Sequence, residues 1–164
     1  PMVSGAVLQL LSSTDWQTLD YLIIDTPPGT GDVQLTLLQR IPLSAAIVVT
    51  TPQKVSVSDT RKGIEMIRRL DLPILGLIEN MSFFQPEDSE KKYYLFGKGG
   101  GEELAKEYKL ELFSQIPLTE KKDSSILYEM DDYKIIFDDL SKKVVAQMDL
   151  IRKKINQVIP QQKA

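Results

Sequence analysis

Strands and helices alternate along this chain of 164 residues, which predicts an α/β fold: a mainly parallel sheet with helices on both faces, three layers in all. Three observations carry the prediction. Short unbroken apolar runs (Tyr21 to Ile24, Ala45 to Val49, Ile74 to Ile78, Leu112 to Phe113) read as strands covered on both sides. Segments with apolar residues at helical spacing separate them. A proline or a polar turn follows each run, and strict alternation implies right-handed crossovers between parallel strands.

In chain order, Val3, Ala6, Val7, Leu10 and Leu11 predict an amphipathic helix that the Ser12-Ser13-Thr14-Asp15 cluster ends. Trp16 and Leu19 lead into a strand from Tyr21 to Asp25. Asp32 is the expected N-cap of a helix through Val33, Leu35, Leu37 and Leu38 that ends near Pro42. Ala45 to Thr50 is the second strand, stopped by Pro52. Ser56 and Asp59 stand at capping-box spacing and open a helix lined by Thr60, Gly63, Ile64, Ile67 and Leu70. Ile74 to Asn80 is the third strand. A polar loop from Gln85 to Lys92, a short extended piece at Tyr93 to Phe96 and the run Gly97 to Gly101 lead into a helix carrying Leu104, Ala105 and Tyr108. Leu112 to Ile116 is the fourth strand. Leu140, Val144, Met148, Ile151, Ile155 and Val158 describe one long helix over about residues 138–158, before a polar tail. The expected organisation is a single domain, 1–164.

Composition narrows the function. A net charge of −3 and a pI near 5.1 give no long-range attraction to nucleic acid or anionic membrane. No cysteine and no histidine are present, which excludes disulfides, thiolate metal sites and Ser-His-Asp chemistry and leaves metal binding to oxygen donors. No stretch reaches the roughly 18 apolar residues of a membrane span. The expected location is cytoplasmic, or the plastid stroma if the parent protein is from a plant or alga. Pro1 followed by Met2 is not how a reading frame starts, so the chain reads as a piece of something longer.

The stretch with the most chemistry is Asp20 to Asp32. An apolar run ends in Asp25, after which Pro27, Pro28, Gly29 and Gly31 stop the strand and open the backbone. Ligands in open α/β sheets collect beyond the carboxyl ends of the strands. A carboxylate there suits a Walker B role, an oxygen ligand for Mg²⁺ or its water; the other reading is an aspartate that satisfies loop amides. Asn80 and Pro117 follow strand ends on the same rim. An amide that donates and accepts suits an adenine edge, and a loop at Pro117 would wall the base, although turn chemistry alone accounts for both residue types. Gly97-Lys98-Gly99-Gly100-Gly101 is not a phosphate loop: Lys98 precedes the glycines, no Ser or Thr follows, and Glu102 and Glu103 oppose an anion. It predicts a tight turn capping a helix. Ile151 to Ile155 carries too few cations and no aromatic anchor for a membrane contact and is expected to cover the sheet or a subunit.

Asp20 to Leu38, Pro42 to Ala46, Thr50 to Gln53, Glu79 to Ser82, Phe96 to Gly101 and Gln115 to Leu118, in that order over about residues 1–132, resemble the Mrp/ApbC family of MinD-like P-loop NTPases that carry iron-sulfur clusters. The resemblance implies a homodimeric ATPase that binds a [4Fe-4S] cluster between subunits and hands it to apoproteins, with ATP and Mg²⁺ as cofactors. Asp25 would serve Mg²⁺ through water, and Pro27 to Gly31 would form the loop that senses the γ-phosphate. Asp25 and Gly29 are then the catalytic residues, and Pro28, Gly29, Thr30, Asn80 and Pro117 bind the nucleotide.

Two departures qualify what the resemblance implies. The family's Walker A segment lies upstream of the aligned region, and its strand would sit between the Asp25 strand and the Ala45 to Thr50 strand. Its absence predicts a fold incomplete at the N-terminus, with a central gap and unpaired edges. The family also places Cys-x-x-Cys after Asn-Met-Ser, where this chain has Gln85-Pro86-Glu87-Asp88-Ser89, so no cluster ligand lies in the chain. An alternative function is a MinD/ParA-like regulatory or positioning ATPase without a cluster, or a scaffold that keeps only the fold.

Overall fold

The computed structural model describes residues 2–26, 31–86, 88–119 and 131–158. Its elements are α1 (Met2–Ser13), α2 (Asp32–Arg40), β1 (Ala46–Thr50), α3 (Lys54–Arg69), β2 (Ile74–Glu79), α4 (Gly100–Tyr108), β3 (Leu112–Gln115) and α5 (Asp131–Val158). The three strands form one parallel sheet in the order β1-β2-β3. Each successive strand is laid down beside its predecessor after a helical crossover, as the alternation predicts.

Two cores with no residue in common flank this sheet. Val57, Ile64 and Ile67 of α3 and Leu104 and Tyr108 of α4 close on Val48 and Leu77. Leu140 of α5, with Val144, Met148 and Ile151 behind it, closes on Leu75, Ile78 and Phe113. The three-layer expectation therefore holds over the sheet that forms. The helical spacing read in α3, α4 and α5 is the spacing of these buried residues, and α5 begins one and a half turns or more before the expected residue 138.

Gly76 is required by the second core: a Cβ there would lie 2.5–2.7 Å from three atoms of the Phe113 ring. The αL turn at Asp71 (φ 53°) precedes β2, with the N–H groups of Leu70 and Leu72 both bonded to the Ile67 carbonyl.

Several local expectations are corrected. Tyr21 to Asp25 is not a strand; it lies outside the sheet, with Ile23 90% exposed. A strand exists only through a partner's hydrogen bonds, and an apolar run beside no partner has none to take. β1 is correspondingly an edge strand, its Ile47 and Val49 38% and 56% exposed because α5 covers β2 and β3 but not this face. Asp32 is the first residue of α2 rather than its cap, which is Gly31. Ser56 and Asp59 form no capping box. The helix starts earlier, at Lys54, so that Ser56 Oγ instead accepts from the Thr51 N–H at 3.1 Å and Asp59 pairs with Lys62. Of the piece Tyr93 to Phe96, only Tyr93 pairs, with Phe84.

Candidate functional site

The carboxyl ends of the three strands form one rim. The Asn80 N–H bonds the Thr50 carbonyl at 2.8 Å, tying the exit of β2 to that of β1. Beyond β2 and β3 the two exits run side by side: Ile116 N–H to Glu79 carbonyl at 2.8 Å, Ser82 N–H to Ile116 carbonyl at 2.9 Å, Leu118 N–H to Phe83 carbonyl at 2.7 Å. Asn80 and Pro117, expected to receive adenine, are thereby held on adjacent exits. The Asn80 Oδ1 accepts from the Met81 N–H at 2.9 Å, and Met81 takes the left-handed conformation (φ 55°), uncommon for a residue with a long side chain. The Pro117 carbonyl accepts from the Tyr133 hydroxyl at 2.7 Å, which ties that exit to the start of α5.

The structure treats the Asp25 region differently. Asp25 is exposed and stands at the end of no strand. Its segment is held from the sides: Gln34 of α2 donates to Thr26 Oγ1 at 3.5 Å, and Arg152 of α5 reaches the Asp20 carbonyl at 3.4 Å and stacks 5.3 Å from the Tyr21 ring. Pro28, Gly29 and Thr30 lie outside the described residues. Among the described residues no cluster of three or more acidic groups is placed to hold a metal ion. Mg²⁺ with a nucleotide takes one or two protein carboxylates and completes its octahedron with phosphate and water, so a lone accessible Asp25 fits that share.

Gly97 to Gly101 forms the expected turn. Gly97 and Gly99 take positive φ (101° and 79°), and Gly99 is the N-cap of α4. Gly100 and Gly101 are glycines for a second reason, close approach. A Cβ on Gly100 would meet Val57 Cγ2 at 2.7 Å and the Pro52 carbonyl at 3.0 Å, and one on Gly101 would meet the Glu79 Cβ at 2.8 Å.

Glu79 is the residue that sequence reasoning missed. It is fully buried at the end of β2. Its Oε1 accepts from Ser82 Oγ at 2.5 Å and Gln115 Nε2 at 3.0 Å, and its Oε2 from the Gly101 N–H at 2.5 Å. A buried charge is tolerated when its lone pairs are met by donors, and here a helix N-terminus adds favourable dipoles. The sequence carried a signal: a carboxylate closing an apolar run singles out Asp25 and marks Glu79 equally.

A hydroxyl cluster stands at the neighbouring exit, Thr60 donating to Thr50 Oγ1 at 2.9 Å and Ser56 within 3.2 Å of it. The loop after Ser82 folds back through paired bonds between Phe84 and Tyr93 at 2.7 and 2.8 Å. Its lysines lie over rings, Lys92 4.0 Å from Phe83, Lys91 5.1 Å from Tyr93, and Lys98 4.8 Å from Tyr94.

A family model described as ParA, NUBPL iron-transfer P-loop NTPase, matches residues 1–156. The chain belongs to this family. An iron-sulfur cluster carrier protein from Pseudomonas fragi is 51% identical over 118 residues, covering 72% of this chain and 41% of that protein. The Escherichia coli K12 carrier protein of the same description is 40% identical over 156 residues, 90% of this chain and 42% of its own length. The chloroplastic Fe-S cluster assembly factor HCF101 of Arabidopsis thaliana is 41% identical and covers 97% of this chain, which spans 31% of it. A solved nucleotide-binding protein from Archaeoglobus fulgidus, in complex with ADP, superposes with a TM-score of 0.65 at 36% identity, over 82% of this chain and 54% of that one. The chain thus spans well under half the length of these curated relatives. The P-loop NTPase-like α/β fold and the expected family stand together. No helix among the described residues is long and apolar enough to cross a membrane.

Proposed function

We propose that this chain is the base-binding and switch portion of an iron-sulfur cluster carrier ATPase, in which nucleotide turnover drives the binding and release of a cluster destined for apoproteins. The observation that carries the proposal is the joined rim, where Asn80 and Pro117 sit on exits cross-linked by three backbone hydrogen bonds. That geometry makes a fixed edge against which a planar base can be read. Family membership supports ATP as the ligand, and the relatives' printed descriptions support the cluster as cargo.

In this reading Asp25 would hold Mg²⁺ through water, the ion would neutralise phosphate charge, and Pro28, Gly29 and Thr30 would face the γ-phosphate. Most of the phosphate binding comes from a Walker A loop, and two copies assemble as a homodimer around the cargo. The chain contains no cysteine, so thiolates for the cluster must come from elsewhere in the assembly. The lack of a thiolate favours the second reading, a MinD/ParA-like switch that uses the same ATP cycle without a cluster.

Joining residues 1–164 to the Walker A portion of a relative tests both. ATP hydrolysis by that protein is expected to disappear in Asp25→Asn while ATP binding persists, and wild-type turnover in the variant would remove Asp25 from the mechanism. Anaerobic reconstitution with iron and sulfide separates the readings: transfer of a cluster to an apoprotein supports the carrier, and hydrolysis with no bound cluster supports the switch.

A further inference from the structure

Glu79 is a fully buried carboxylate with no part in the nucleotide chemistry assigned to Asp25, Asn80 and Pro117. Its three donors come from three different parts of the rim: Ser82 from the β2 exit, Gln115 from the β3 exit, and the Gly101 N–H from the start of α4. The Ser82 bond spans Asn80 and Met81, and closes the turn in which Met81 is held at φ 55°. Uncommon backbone conformations of this kind persist only where the surroundings over-determine them. The Gln115 bond fixes the residue two positions before Pro117, while the Glu79 carbonyl accepts from the Ile116 N–H. One side chain therefore sets the relative position of both groups expected to touch the base. No described cation is bonded to it, so its whole stabilisation comes from these donors and the helix terminus.

We infer that Glu79 is a positioning residue for base recognition: it holds Asn80 and Pro117 in the register that distinguishes adenine from a pyrimidine. The inference rests on the reading of Asn80 and Pro117 as the base-binding pair. Leu is the informative replacement. Its size is similar, but its methyl groups accept no hydrogen bond from the Gly101 N–H, the Ser82 hydroxyl or the Gln115 amide. All three clamps open, and the buried Gly101 N–H loses the carboxylate that accepts from it. The Asn80 to Ser82 turn then relaxes, and the base edge loses its fixed partner.

The test is an NMR titration of the ¹⁵N-labelled chain with AMP and, separately, with UMP, following the Asn80 side-chain amide and the Leu118 backbone amide. Wild type is expected to prefer AMP by the worth of one well-placed hydrogen bond, about fivefold. Glu79→Leu is expected to bring the AMP to UMP ratio to parity. Ser82→Ala, which removes one donor and leaves the carboxylate, is expected to lower the ratio part of the way. Ile64→Val, a core change remote from the rim, is the control for lost stability and is expected to keep the full preference. A folded Glu79→Leu or Ser82→Ala that keeps the wild-type preference overturns the inference. Equal loss in Ile64→Val, or unfolding of both rim variants, assigns Glu79 a purely structural role and overturns it as well. If wild type shows no preference for AMP, the base-binding reading of Asn80 and Pro117 fails and takes this inference with it.

Discussion

Replacing Gly100 with alanine places a methyl group against backbone. The new Cβ would lie 2.7 Å from Val57 Cγ2, 3.0 Å from the Pro52 carbonyl oxygen and 3.1 Å from Pro52 Cα. Val57 and Pro52 are buried, and two of the three obstructing atoms are main chain, so α4 must move away from the β1 to α3 connection. Overpacking of this type costs about 1–3 kcal/mol, and the gain in helix propensity on leaving glycine returns at most about 1 kcal/mol. Net destabilisation of about 1–2 kcal/mol is expected. Gly63, inside α3, has no atom within 4 Å of a built Cβ, so Gly63→Ala gains the propensity without the clash. It is expected to stabilise by about 0.5–1 kcal/mol. The same chemical change therefore has opposite signs at two helical glycines, and the melting temperatures of the variants should differ by about 5–10 °C. Urea unfolding monitored at Trp16 and by far-UV circular dichroism measures both. A Gly100→Ala variant at least as stable as wild type would refute the close-approach argument, and with it the reason given for the glycine run at the start of α4.

Two titrations follow from the packing of α3 on α4. Burial, then the hydrogen bond to Glu65, raises the Tyr108 phenol above its ordinary value. The folded state thus holds that proton more tightly than the unfolded chain, so the contribution is intact below about pH 10 and is lost as the pH rises beyond it. Tyr108→Phe is expected to flatten the alkaline loss of stability in denaturant midpoints taken between neutral pH and the onset of unfolding; an unchanged slope would count against it. At the other end, Arg61 holds the Glu107 carboxyl below its ordinary value through a hydrogen bond, with Nη2 at 2.7 Å from Oε2. That contribution is present above the ordinary carboxylate range and disappears as the pH falls through the lowered value. Arg61→Ala should reduce the acid sensitivity of stability slightly, and added salt should do the same, because the pair is exposed to solvent.

The architecture was legible wherever hydrophobic period and burial coincide. Ile64 and Ile67 in α3, Leu104, Ala105 and Tyr108 in α4, and Leu140 in α5 are the positions at which periodicity and buried surface agree. Asn80 and Pro117 were placed on one rim because strands in a parallel sheet end on the same side. What failed was local chemistry with a competing partner. Ser56 has the spacing of a cap, but the hydroxyls of Thr50 and Thr60 and the Thr51 amide draw it into a different network. Tyr21 to Asp25 has the composition of a strand, yet strand character is conferred by a neighbour, which no residue within the run can supply. Glu79 was marked by its place at the end of an apolar run, but its partners were not legible. The donors that make a buried carboxylate tenable are 3, 22 and 36 residues away, so only the fold assembles them.

The uncovered β1 has a consequence for how this chain behaves in time. Among the described residues its outer edge pairs with no strand, and two processes of different kinetic order can cover that edge and the exposed Ile47 and Val49. Capture of a strand within one polypeptide is first order and independent of concentration, whereas pairing with the edge of another molecule is second order. Dilution and rapid intramolecular closure favour the first, and crowded synthesis favours the second. The yield of assembled sheet is then expected to fall with rising protein concentration during refolding, even where the assembled sheet is stable.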